Sequence, residues 1–214
     1  RNKNRAMMPW VVHVLAIVMT FFLVLNNFIA SPFETGPLRA DGVGLNPQLK
    51  NYWMMIHPPT LYLGYVGFTI PFAFGIAALV TRRTGDIWFR TTRRWTIFSW
   101  FFLGIGILMG SFWAYIELGW GGYWAWDPVE NASLMPWLTG TAFLHSVILQ
   151  EKKGMMKVWN MTLVILTFCL AIFGTFLTRS GIISSVHSFA TSNIGPAFAW
   201  FLGITLFGSL ILLV

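Results

Sequence analysis

The feature that most limits what this chain can fold into is its alternation of long apolar blocks with short basic clusters. Six blocks stand out, at residues 9–30, 58–81, 95–116, 132–149, 158–178 and 194–214. Each approaches the ~20 residues that an α-helix needs to cross a hydrocarbon core. A transmembrane β-barrel would instead show short segments of alternating polarity, and the sequence has none. The expected fold is therefore an all-α integral membrane protein with about six transmembrane helices. Composition agrees, since 10% of the residues are charged and 56% are hydrophobic, against about 25% charged in a soluble domain. Residues 1–214 read as one polytopic unit, expected to be a piece of a longer protein because the chain opens at Arg1 and stops within an apolar run. The first block is too long for a signal peptide.

The basic residues fix the expected orientation. Arg1, Lys3 and Arg5 precede the first block; Arg82, Arg83, Arg90, Arg93 and Arg94 lie between the second and third; Lys152, Lys153 and Lys157 lie between the fourth and fifth. Eleven of the fourteen Lys and Arg thus share one side, leaving Arg39, Lys50 and Arg179 on the other. By the positive-inside rule the crowded side faces the cytoplasm, or a mitochondrial matrix. The net charge of +7 is consequently a topology signal and not a nucleic-acid footprint. The lone Cys169 sits within an apolar block and reads as a small buried residue. With no Cys-x-x-Cys pair, the chain is neither a dithiol oxidoreductase nor a carrier of c-type haem.

Three segments then face outward, at residues 31–57, 117–131 and 179–193. The middle one is rich in tryptophan, with Trp120, Tyr123, Trp124 and Trp126 interleaved with Gly119, Gly121 and Gly122. Glycine lets a backbone turn and approach a flat ligand, and Trp and Tyr offer broad faces with a polar edge. The plainer reading is an aromatic belt at the membrane interface; concentration in one loop favours a ligand platform. Asp127, Pro128 and Glu130 read as the start of a helix with a capping box, so both carboxylates can hold the loop in shape, and Asp127 can also meet a ligand. His57 precedes Pro58-Pro59, which places it at a helix N-terminus at the outer mouth of the second span. His187 lies in the last outer loop. Two imidazoles flanking an aromatic platform suit axial ligation of haem iron. His145 lies inside the fourth span, where ionisable residues are costly and usually functional. His13, near the inner end of the first span, reads as interfacial.

Trp120-Gly-Gly-Tyr-Trp-Ala-Trp-Asp127 resembles the tryptophan-rich signature of the haem-handling proteins of cytochrome c biogenesis. The continuation Pro128-Val-Glu-Asn-Ala-Ser133 with Met135-Pro-Trp-Leu138 is similar to the CcmF/NrfE family within that group. So are His57-Pro-Pro-Thr-Leu-Tyr-Leu-Gly-Tyr-Val-Gly67, Gly174-Thr-Phe-Leu-Thr-Arg-Ser-Gly181 and Val186-His-Ser-Phe189. The resemblance implies a haem lyase component that positions haem at the outer membrane face for thioether attachment to apocytochrome c. It implies haem delivery by a CcmE-like chaperone and cooperation with CcmH-like thiol-handling subunits, within membrane lipid. It matches His57 and His187 to axial ligands of the outer haem, and His145 to one ligand of a b-type membrane haem whose other ligand lies beyond these residues. Trp120, Tyr123, Trp124, Trp126 and Asp127 would complete the haem-handling loop, with Arg39, Lys50 or Arg179 as partners for propionates. The expected location is the bacterial inner membrane with the loop periplasmic, or alternatively the mitochondrial inner membrane. A competing reading is a haem transporter or chaperone-docking protein without ligase activity.

Overall fold

The computed structural model describes residues 5–33, 35–36, 40–42, 44–187 and 193–213. Arg1, Lys3 and Arg39, and the last two residues of Val186-His-Ser-Phe189, lie outside the described residues. Seven α-helices make up six membrane-crossing segments, and no strand occurs among the described residues. The chain is a multi-pass membrane protein.

Helix α1 (Met8–Val24) opens at Pro9 and runs on through a π-helical turn, Leu25–Ile29. The second crossing is broken into α2 (Tyr52–Gly67) and α3 (Thr69–Val80), with Phe68 at the joint. The others are α4 (Ile87–Glu117), α5 (Pro128–Lys153), α6 (Lys157–Ser180) and α7 (Gly195–Leu213).

The start of α2 departs from the expectation. Pro58 and Pro59 lie inside the helix, and His57 is not at its N-terminus but more than a turn within it. The helix starts where Asn51 caps it, accepting the Trp53 N–H at 2.8 Å. Interior prolines are tolerated in membrane helices, and α2 continues through this pair to Gly67. Helix α4 also begins earlier than its apolar block, so that Arg90, Arg93 and Arg94 are helical. Their end of the molecule is tied together: Arg90 pairs with Asp86 at 2.8 Å and with Glu151 at 3.2 Å, near the C-terminus of α5.

Helix α2 packs mainly on α4 and α5 on α6. The first pair meets through small residues, as membrane helices do in the absence of a hydrophobic drive between them. A Cβ added at Gly106 would stand 2.6 Å from Leu61 Cα, so the backbones all but touch there. The second pair is joined by buried amides near the basic end. Asn160, with no exposed surface, bonds Ser146 and Gln150, and Gln150 donates to the Thr84 carbonyl at 3.0 Å. Cys169 is buried in the apolar core, as expected.

Candidate functional site

The tryptophan loop connects α4 to α5, and its glycines do what the sequence asks of them. Gly119 and Gly121 have φ of 63° and 71°, in the left-handed region. Trp126 also has positive φ, 58°, which is unusual for a bulky residue and marks the loop as conformationally held. The hold comes from the capping box at α5. The Glu130 carboxylate, 7% exposed, accepts the N–H groups of Ala125 and Asp127, each at 3.1 Å. Asp127 accepts the Val129 N–H at 2.9 Å, and Asn131 donates to the Trp126 carbonyl at 2.9 Å.

Asp127 does more than cap. The same oxygen, Oδ2, accepts the Ser185 hydroxyl at 2.7 Å and His187 Nδ1–H at 3.0 Å. This carboxylate therefore joins the start of α5 to the loop after α6. Burial alone would raise its pKa; the hydrogen bonds from His187, Ser185 and Val129 outweigh burial and hold the carboxyl below the ordinary range. Trp113 backs the other side of the joint. It is fully buried, donates to the Gln48 carbonyl at 2.9 Å, and sets its ring 5.3 Å from that of His187.

His57 approaches from α2. Its Nδ1 lies 2.6 Å from the Gly106 carbonyl oxygen, so Nδ1 carries the proton and donates it. Its ring rests on Gly110, where an added Cβ would stand 2.6 Å from His57 Cε1. One cavity of about 330 Å³ is lined by both His57 and His187, together with Trp124, Glu130, Arg179 and Tyr65. That volume is at the small end for ligand pockets. Trp124 also lines a neighbouring apolar groove of about 570 Å³, which it shares with Trp126, Trp100 and Trp137.

The structure thus brings together the two outer histidines and Trp124, and sets other loop aromatics elsewhere. Tyr123 stacks on Tyr115 at 4.4 Å, and Trp126, 69% exposed, stands edge-on to Trp124 at 88°. Trp120 is half-buried and lines neither cavity. The four rings do not form one flat platform. Of the cations expected near propionates, Arg179 lines the histidine cavity and Lys50 does not. His145 lies apart, on an exposed face of α5, with Nδ1 donating to the Thr141 carbonyl at 2.8 Å. His13 is exposed on α1 and bonds the Pro9 carbonyl.

Three site residues escaped the sequence reading. Ser185 and Trp113 carry no local signal. Gly110 does, because it stands four residues after Gly106, the spacing of a close helix contact.

A family model described as Cytochrome C assembly protein matches residues 1–184. The chain belongs to that family. It is 49% identical over 193 residues to the cytochrome c-type biogenesis protein CcmF of Pseudomonas aeruginosa, covering 89% of this chain and 29% of that protein. It is 44% identical over 194 residues to the cytochrome c-type biogenesis protein NrfE of Haemophilus influenzae, covering 90% and 31%. Among solved structures, the cytochrome c haem lyase CcmF superposes with a TM-score of 0.78 at 43% identity, covering 95% of this chain and 31% of that one. The chain spans under a third of the length of these relatives.

Proposed function

We propose that this chain forms the haem-presenting part of a cytochrome c haem lyase. In this reading the loop-side cavity receives haem as substrate and offers it to a reduced apocytochrome for thioether formation. The observation that carries the reading is the convergence of His57 and His187 on one cavity from two separate elements. In both rings Nδ1 is committed to an oxygen acceptor, which leaves Nε2 with its lone pair, the form in which imidazole binds iron. Trp124 offers a flat face at the same place, and Arg179 offers a cation to a propionate. At about 330 Å³ the cavity would hold part of a macrocycle, with the rest at its mouth beside Trp124. The protein contributes orientation and ligation, and the reaction at the vinyl groups belongs to haem and thiols.

The relatives' names supply the class of reaction, and the positive-inside asymmetry supports a periplasmic loop in a bacterial inner membrane. The delivering chaperone and thiol-handling subunits of the resemblance remain the expected partners. His145 fits one side of a membrane haem, because its Nδ1–H is engaged by Thr141 and its exposed face is open to a ligand from beyond this chain. Such a haem, when bound, supplies an electron.

The test uses the protein at its native length, purified with ferrous haem and a reduced peptide bearing Cys-x-x-Cys-His. Covalent haem–peptide product is expected, and is expected to fall at least tenfold (~1.4 kcal/mol of barrier) in His57→Ala and His187→Ala. Haem binding without covalent product would support the transporter reading. Unchanged product in both variants would refute the proposal.

A further inference from the structure

The two histidines of the cavity are not held alike. His187 Nδ1–H donates to a carboxylate, Asp127, at 3.0 Å, and that carboxylate is only 9% exposed. His57 Nδ1–H donates to a neutral carbonyl, that of Gly106, at 2.6 Å. A carboxylate behind an imidazole draws the Nδ1 proton toward itself, raises the basicity of Nε2 and strengthens the bond Nε2 makes to a metal. A peptide carbonyl in the middle of a helix does this less, because it has no net charge and also accepts the N–H four residues on. The carboxylate is itself fixed. Its Oδ2 is placed by the Val129 N–H at the helix start and by the Ser185 hydroxyl, both within 2.9 Å. The His187 backbone N–H donates to Ser185 Oγ at 3.0 Å, and the buried Trp113 ring packs beside the imidazole.

From this difference we infer that His57 and His187 are unequal haem ligands: Asp127 is a positioning residue that makes His187 the strong, fixed ligand, and His57 is the one that yields to an incoming ligand. The inference rests on the haem-presenting reading of the cavity. It gives the cavity a direction. An imidazole or thiolate arriving from a substrate chain replaces His57 Nε2, one Fe–N bond breaking as one Fe–ligand bond forms, while His187 keeps the iron in place. No electron changes hands in that exchange. Asp127 thereby has two jobs in one side chain, capping α5 and setting the donor strength of a histidine sixty residues away. These bonds tie the tryptophan loop to the histidine it serves.

The experiment uses the native-length protein loaded with ferrous iron-protoporphyrin IX in two backgrounds, each also carrying His145→Ala. His57→Ala leaves His187 as the only cavity ligand, and His187→Ala leaves His57. Asp127→Asn is then added to each; asparagine keeps the capping oxygen and is as good an N-cap. Resonance Raman spectroscopy reads the iron–histidine stretch, and titration reads haem affinity. In the His57→Ala background the stretch is expected at higher frequency than in His187→Ala. Asp127→Asn is expected to lower it there and to weaken haem binding by ~10–100-fold. In the His187→Ala background Asp127→Asn is expected to change neither quantity, which also shows that the variant folds. Equal frequencies in the two single-histidine proteins, or an iron–His187 stretch indifferent to Asp127→Asn, would overturn the inference. Absence of haem from the cavity in the protein with both histidines would refute the underlying reading instead.

Discussion

A methyl group at Gly110 would lie 2.6 Å from His57 Cε1, well inside the approach of two carbons. Gly110→Ala is therefore expected to push the imidazole off the Gly106 carbonyl and out of register with His187. The cost is that of overpacking, ~1–3 kcal/mol. It should appear mainly as lost haem affinity in a titration, and unaltered affinity would show that His57 is free to tilt. At Asp127 the expectation concerns pH. Its folded pKa is held down, so its contribution to stability is complete above the ordinary aspartate range, about 3.9, and is lost as pH falls through the lower folded value. The difference in melting temperature between the native sequence and Asp127→Asn should be steady near neutrality and shrink in acid. A difference that does not vary between neutrality and strong acid would contradict the sign of this shift. Both expectations concern single atoms that composition and hydropathy do not register.

At the scale of elements, α2 and α4 set the depth and angle of His57, and α5 with the loop after α6 sets His187. Gly106→Ala would drive a Cβ to 2.6 Å from Leu61 Cα and displace the carbonyl that His57 uses. It is expected to destabilise the α2–α4 pair and weaken haem binding together. Asn160→Ala should separate the two effects. It removes the buried amide that joins α5 to α6 at the basic end, worth ~0.6–1.7 kcal/mol in a membrane, and should lower thermal stability without altering haem affinity. Loss of haem in Asn160→Ala would mean that the α5–α6 pair transmits strain along its whole length. Much of this level was legible. The capping box at Asp127 and Glu130 was read from four residues and is present as read. Pro58-Pro59 looks like a helix start in water, whereas this membrane helix carries the pair in its interior. Asn51 was the true start signal, and it lay in a stretch that reads as loop.

For the molecule as a whole, hydropathy and charge were sufficient for the number of crossings. Among the described residues six apolar segments follow one another, and Arg90, Arg93 and Glu151 meet at the basic end while Asp127 and His187 meet at the other. Which loop residues face the cavity was not legible. Trp120, Tyr123, Trp124 and Trp126 are chemically similar, and only tertiary packing sends Trp124 toward the histidines and stacks Tyr123 on Tyr115. Ser185 joined the site through a contact 58 positions from Asp127, for which one sequence holds no signal. In the proposed function His57 and His187 hold the same iron. Electron paramagnetic resonance of the ferric, native-length protein carrying His145→Ala tests it most directly. A low-spin bis-imidazole signal is predicted, converting to high spin in His57→Gly and in His187→Gly and returning when free imidazole is added to either. A low-spin signal that survives either substitution unchanged would contradict the claim.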